Sequence, residues 1–224
     1  MRNKVLIVAA HSDDEVLGCG GTIAKRAKQG NEVAVIFMTN GVSSRNEKDD
    51  LIKIQERKLH SEHAAEILGI SQITQCDYPD NCMDTVPLLH VTQSIEKEIR
   101  KFQPEIVMTH FANDLNIDHS TVARATLTAT RPLAGSPIKK VLGFEVNSST
   151  EWAFDAPHFK PNYFVNISET FNLKIDAMRA YESELRASPH PRSLKGIETL
   201  AAVRGNASGY HYAEAFKIYR LMED

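Results

Sequence analysis

Val5-Leu6-Ile7-Val8-Ala9-Ala10-His11-Ser12-Asp13-Asp14-Glu15 decides the architecture: an unbroken apolar run, rich in β-branched residues, leads straight into a loop of ionisable side chains. Such a run suits a strand buried on both faces, as in a parallel sheet. Val16, Leu17, Ile23, Ala24 and Ala27 follow at helical spacing and stop at Gly30, a residue suited to a helix C-terminus. Residues 32–38 form a second apolar strand. Strand, helix and strand in this order make a βαβ unit, with parallel strands and a right-handed crossover.

The alternation continues outward. The pattern predicts a helix over 51–68 closed by Gly69, a strand over 70–75 and a turn at Tyr78-Pro79-Asp80-Asn81. A helix over 91–102, a strand over 105–109 after Pro104 and a helix over 119–130 complete it. The order βαβαβαβα predicts an α/β fold: a doubly wound, mainly parallel sheet with helices on both faces, Rossmann-like in plan. The last third is less regular, with a strand over 139–146, helices over 171–185 and 193–203, a loop at Ser188-Pro189-His190-Pro191-Arg192, and mixed signals over 212–219. No repeat, linker or low-complexity tract sets it apart. The chain therefore reads as one domain over 1–224, its C-terminal segment capping the active-site end of the sheet.

The 224 residues carry 26 Lys plus Arg against 29 Asp plus Glu, a net charge of -3 that argues against non-specific nucleic-acid binding. Cys19, Cys76 and Cys82 are odd in number and lack C-x-x-C spacing, so neither a disulfide framework nor a cysteine zinc site is indicated, and a reducing, cytoplasmic setting is expected. The 5–10 run is too short for a signal-peptide core, and no stretch approaches the roughly 18 apolar residues of a membrane span. The skewed count is histidine, at nine, which raises the question of metal.

In open α/β sheets ligands bind outside the carboxyl ends of the strands. Two predicted strand ends carry ionisable clusters: His11 to Glu15 after the first strand, and His110 with Asp114, Asn116, Asp118 and His119 after the fourth. Neighbouring strands one and four would set these loops face to face. Imidazole and carboxylate ligands without sulfur suit zinc, or another divalent first-row metal, in an open site with three protein ligands. His11 and Asp14 can converge from one loop, with His119 as the third ligand from the other. Asp13 is then free as a general base, because zinc lowers the pKa of its water from about 15.7 toward roughly 7. His110 at a strand end, Arg45 after the second strand and Arg192 are candidates to touch a substrate.

Other readings of the same residues have their own requirements. A receiver-like signalling module would hold magnesium on an acidic cluster after the first strand, but gives His11 and His119 no role. A non-catalytic sugar-binding or metal-storage protein would keep the ligands and not need Asp13. Gly18, Gly20 and Gly21 depart from the G-x-G-x-x-G spacing and instead suit close helix-sheet packing.

The stretch from Val8 to Gly21 resembles the A-H-P-D-D-E segment of the PIG-L/LmbE family of zinc-dependent N-deacetylases, which remove acetyl from N-acetylglucosaminyl compounds. Asn116-Ile117-Asp118-His119 is similar to the family's H-P-D-H segment. The resemblance implies that His11, Asp14 and His119 hold zinc, with iron(II) or another divalent first-row metal as substitutes. It implies Asp13 as general base and Asp118 as the acidic residue beside the last ligand. Ser12 stands where the family has proline. Asn116 stands where it has a histidine that steadies the oxyanion or protonates the leaving amine; an amide can donate a hydrogen bond but delivers no proton. That proton then falls to Asp13 or to another histidine. His211 is a candidate, since Tyr212-Ala213-Glu214-Ala215-Phe216 beside it resembles the family's A-E-x-F segment. The implied activity is hydrolysis of a linear amide, removing N-acetyl from a small amino sugar or sugar conjugate. A homo-oligomer is compatible with it.

Overall fold

A computed structural model describes residues 2–41, 50–155 and 157–223. Its elements are β1 (Lys4–Ala9), α1 (Asp14–Lys28), β2 (Glu32–Thr39), α2 (Asp50–Leu68), β3 (Gln72–Tyr78), α3 (Leu88–Phe102) and β4 (Ile106–His110). There follow α4 (Ile117–Ala129), β5 (Lys140–Phe144), β6 (Tyr163–Asn166), α5 (Phe171–Ala180), α6 (Leu194–Asn206) and β7 (Ala213–Leu221). Single helical turns lie at Met83–Thr85, Thr150–Trp152 and Glu182–Glu184.

The strands form one sheet in the order β3-β2-β1-β4-β5-β7-β6. β1 to β5 pair in parallel, whereas β7 runs antiparallel to both β5 and β6. The order 3-2-1-4-5 is that of dinucleotide-type doubly wound sheets; receivers use 2-1-3-4-5, so the receiver reading fails on topology. Alternation along β1 explains the two layers. Val5, Ile7 and Ala9 pack with apolar residues of α1, α2, α5 and α6, while Leu6, Val8 and Ala10 pack with those of α3 and α4. Burying each larger aliphatic side chain stabilises the fold by about 1.5–3 kcal/mol.

The glycines after the first loop act as expected of packing positions. A Cβ on Gly18 would lie 2.2 Å from the Phe144 ring, and one on Gly21 2.8 Å from Ile167. Three details differ from the sequence pattern. Tyr163–Asn166 is a strand that the pattern did not announce, because four residues give too little alternation. α5 stops at Ala180, where residues 182–184 turn once more instead of prolonging it to 185. The mixed signals before Leu221 resolve into β7, half of it buried.

β1 and β4 are neighbours, so the loops at 10–13 and 111–116 leave adjacent carboxyl ends. The loop before α6 arrives over the same end, where Arg192 meets Asp13.

Candidate metal centre

His11 Nδ1, Asp14 Oδ2 and His119 Nε2 form a nearly equilateral triangle, with edges of 3.2, 3.2 and 3.3 Å. Zinc bonds of about 2.0–2.2 Å to N and O place neighbouring tetrahedral ligands roughly 3.3–3.5 Å apart. The donor set therefore fits a small divalent ion with one position left open. The second carboxylate oxygen of Asp14 is buried with no hydrogen-bond partner among the described residues, as a group awaiting a cation would be. A second cluster, His11 with Asp80 and Asp118, uses the other ring nitrogen of His11. There Asp118 is already engaged, accepting from the backbone N–H groups of Asn81 (2.6 Å) and Met83 (3.0 Å), so we read it as support for the ring.

Each histidine of the triangle is oriented from behind. His11 Nε2 lies 3.1 Å from both Asp118 and Asp80, which fixes its proton there and leaves Nδ1 for the ion. His119 Nδ1 lies 3.1 Å from Asp114, and Asp114 in turn accepts from the hydroxyls of Ser149 and Thr150. Burial opposes charge on these rings, yet the carboxylates outweigh it. Those of Asp118, Asp14 and Asp80 hold His11 well above its usual 6.5, and those of Asp14 and Asp114 raise His119 to about 9. Asp14 is driven the other way: burial alone would raise it, but His119, His110 and His11 hold it well below the carboxylate range.

Asp13 precedes α1 in the left-handed region, with φ 118°. Its Oδ2 accepts from Arg192 Nη1 at 3.0 Å, and it lines the cleft beside His11. Burial raises the Asp13 carboxyl to about 6 against the pull of Arg192. Its N–H donates to Glu15 at 3.0 Å, and Glu15 accepts from Tyr181 Oη at 2.8 Å. Burial pushes Glu15 up to about 8.

Asn116 caps α4: its Oδ1 accepts from the N–H of Asp118 at 2.8 Å, while Nδ2 donates to Asn81 at 3.2 Å. The cleft in front of the triangle holds about 190 Å³ and is lined by His11, Asp13, Asp80, Asn116, Arg57 and Arg192 among others. His110 is placed behind the site. It is fully buried, stacked on His119 at 4.0 Å and accepting from Ala10 N–H at 2.8 Å, and burial drops its pKa to about 3. It backs a ligand and presents no surface to a substrate. His211 is not among the cleft residues, and Arg45 lies outside the described residues.

Sequence reading missed Asp80, Arg57 and Glu184. Arg57 pairs with Glu184, which also lies 3.6 Å from Arg192, so three side chains from distant elements wall one side of the cleft. Asp80 follows β3, and the rule that strand ends bear ligands would have found it; nothing local signals the other two.

Fold and site together define a doubly wound α/β protein with a buried His-Asp-His cluster that could hold a metal ion. Residues 6–130 match the PIG-L family, described as GlcNAc-PI de-N-acetylase, and the chain belongs to that family. It is 31% identical to diacetylchitobiose deacetylase of Thermococcus kodakarensis, the match covering 96% of this chain and 82% of that protein. It is 27% identical to 4-oxalmesaconate hydratase of Pseudomonas putida, over 80% of this chain and 72% of that one. Among solved structures, the N,N'-diacetylchitobiose deacetylase of Pyrococcus horikoshii superposes with a TM-score of 0.79 at 24% identity, covering 97% and 84% of the two chains. No helix among the described residues is long and apolar enough to cross a membrane.

Proposed function

We propose that the protein is a zinc-dependent N-deacetylase that hydrolyses the acetamido group of an amino sugar or sugar conjugate. The observation that carries this reading is the triangle of His11, Asp14 and His119 at tetrahedral spacing, with Asp13 lining the polar cleft beside His11. The identity to a deacetylase along nearly the whole chain supports it.

His11 Nδ1, Asp14 Oδ2 and His119 Nε2 would hold the ion, which when bound acidifies water and polarises an amide carbonyl. Asp13 accepts the proton of the attacking water, and Arg192 holds its carboxylate in place. Asn116 Nδ2, at the cleft wall, donates to the developing oxyanion. It has no proton to give the departing amine, so Asp13 returns the one it took, and acetate and amine leave. Asp118 and Asp114 act through the rings they orient.

A second reading, addition of water to a carbon–carbon double bond, is supported by the 27% identity to 4-oxalmesaconate hydratase; there Asp13 would take the proton of the added water and return it to the neighbouring carbon. The free thiols of Cys19, Cys76 and Cys82 fit a reducing, cytoplasmic setting. Acetate release is the test, measured with free, nucleotide-linked and lipid-linked N-acetylhexosamines, with zinc or iron(II) and with a chelator. Chelator-sensitive release from one of them supports the proposal; none from the metal-loaded protein sinks it.

A further inference from the structure

Two sequence features remain without a role in that chemistry: the glycines after the metal-ligand loop and the Ala213-Glu214-Ala215-Phe216 segment near the other end of the chain. The structure joins them. α1 is not one continuous helix, because Cys19 has φ -151° and ψ 20° and divides a first turn bearing Asp14 and Glu15 from the longer segment behind it. In an unbroken helix the Leu17 carbonyl would accept from the N–H of Gly21. Here Lys174 Nζ, reaching in from α5, donates to the Leu17 carbonyl at 2.8 Å. The carboxylate of Glu214, from β7, accepts from the N–H of Gly21 at 2.9 Å and of Thr22 at 2.7 Å. The two side chains close the arrangement on each other at 2.6 Å, both about 4% exposed. An ion pair thus sits where the helix ladder is interrupted, its cation on the carbonyl side and its anion on the N–H side. Sharp helix kinks have such causes, and unpaired backbone groups at a break need partners. Thr170 Oγ1 adds a third tie, donating to the Gly21 carbonyl at 2.8 Å.

We propose that Lys174 and Glu214 are positioning residues for the reaction: by bridging the break in α1 they set the first turn, and with it Asp14 and Asp13, independently of the rest of the helix. The inference rests on the metal-hydrolase reading for its kinetic consequence, not for its geometry. It explains why the break is tolerated. The first turn can take the pose the ion requires, while the segment from Gly20 onward stays flush against the sheet.

The test compares Glu214→Gln, Lys174→Met and Lys174→Arg with the parent chain, reading zinc affinity by competition with a chromophoric chelator, kcat and KM for acetate release, and thermal melting. Direct outer-shell partners of metal ligands matter by about 10- to 100-fold, and a clamp acting through the helix backbone is expected at the low end of that range. Glu214→Gln keeps one acceptor and the shape of the side chain but loses the charge, and about tenfold weaker zinc binding with lowered kcat and unchanged KM is expected. Lys174→Met is expected to behave alike, and Lys174→Arg to recover most of the affinity. Folded variants with parental zinc affinity and kcat, merely melting lower, would overturn the proposal. So would a rise confined to KM. Should the Met variant fail to fold, Glu214→Gln and Lys174→Arg decide on zinc affinity alone. If the parent binds zinc but releases no acetate, the deacetylase reading has failed, and the affinities still decide the clamp.

Discussion

The first two thirds of the chain and the last third build the same site in different ways. Residues up to α4 supply the groups proposed to face the ion and the water: His11, Asp13, Asp14, Asn116 and His119, in the loops after β1 and β4 or in the first turn of the helix that follows. Asp80, Asp114 and Asp118 of the same region orient the two rings, and residues after β5 add a further layer of support: Ser149 and Thr150 behind Asp114, Tyr181 behind Glu15, Arg192 on Asp13. Reacting groups come from short loops on a regular scaffold, where position follows from topology. The outer supports come from irregular segments that reach across the carboxyl end because they are not bound to the βα repeat. The difference teaches that the repeat fixes where chemistry happens, and the irregular third fixes how rigidly.

Experiments on the two regions should therefore separate in kind. The largest effect is expected from His119→Ala, which removes a corner of the triangle: bound metal falls toward zero by elemental analysis, and turnover goes with it. A full complement of metal in that variant would move the centre elsewhere. Asp13→Asn should keep its metal and lose about 10²- to 10⁴-fold in kcat, the span of a general base; undiminished turnover would remove Asp13 from the mechanism. Asp114→Asn can still meet Ser149 and Thr150 but no longer offers His119 a charged acceptor. Zinc affinity about 10- to 100-fold weaker is expected from chelator competition, and parental affinity would show that the distant holders do not matter. The smallest effect on the chemistry is expected from Gly18→Ala. Its Cβ would press on Phe144, costing about 1–3 kcal/mol of stability and a melting temperature lower by several degrees, with KM unchanged.

The same division explains what was legible in the sequence. β1, its loop and the His119 segment could be read because a buried parallel strand is an unbroken apolar run and ionisable residues at its end have few other uses. Asp114 could be seen as part of a cluster, but its role depends on hydroxyls 35 and 36 residues away. Arg57 and Glu184 meet across 127 residues, and Lys174 reaches Leu17 across 157. No local periodicity records such pairs. His110 is a subtler case. Ile106 and Met108 share the face of β4 that packs with Phe144, so the period of two puts His110 on that inner face rather than in the open. The alternation was there to be read, but a polar residue at a strand end drew attention to the loop.

The twisted backbone at Asp13 sets stability against function at one residue. A φ of 118° is easy for glycine and uncomfortable for an aspartate, and such conformations cost on the order of 1–3 kcal/mol. At the twist, consecutive acids take different partners, Asp14 with His11 and His119 and Asp13 with Arg192 in the cleft. Glycine at this position would suit the backbone better and end the chemistry. On the proposed mechanism, heat resistance and turnover therefore pull in opposite directions at this one position.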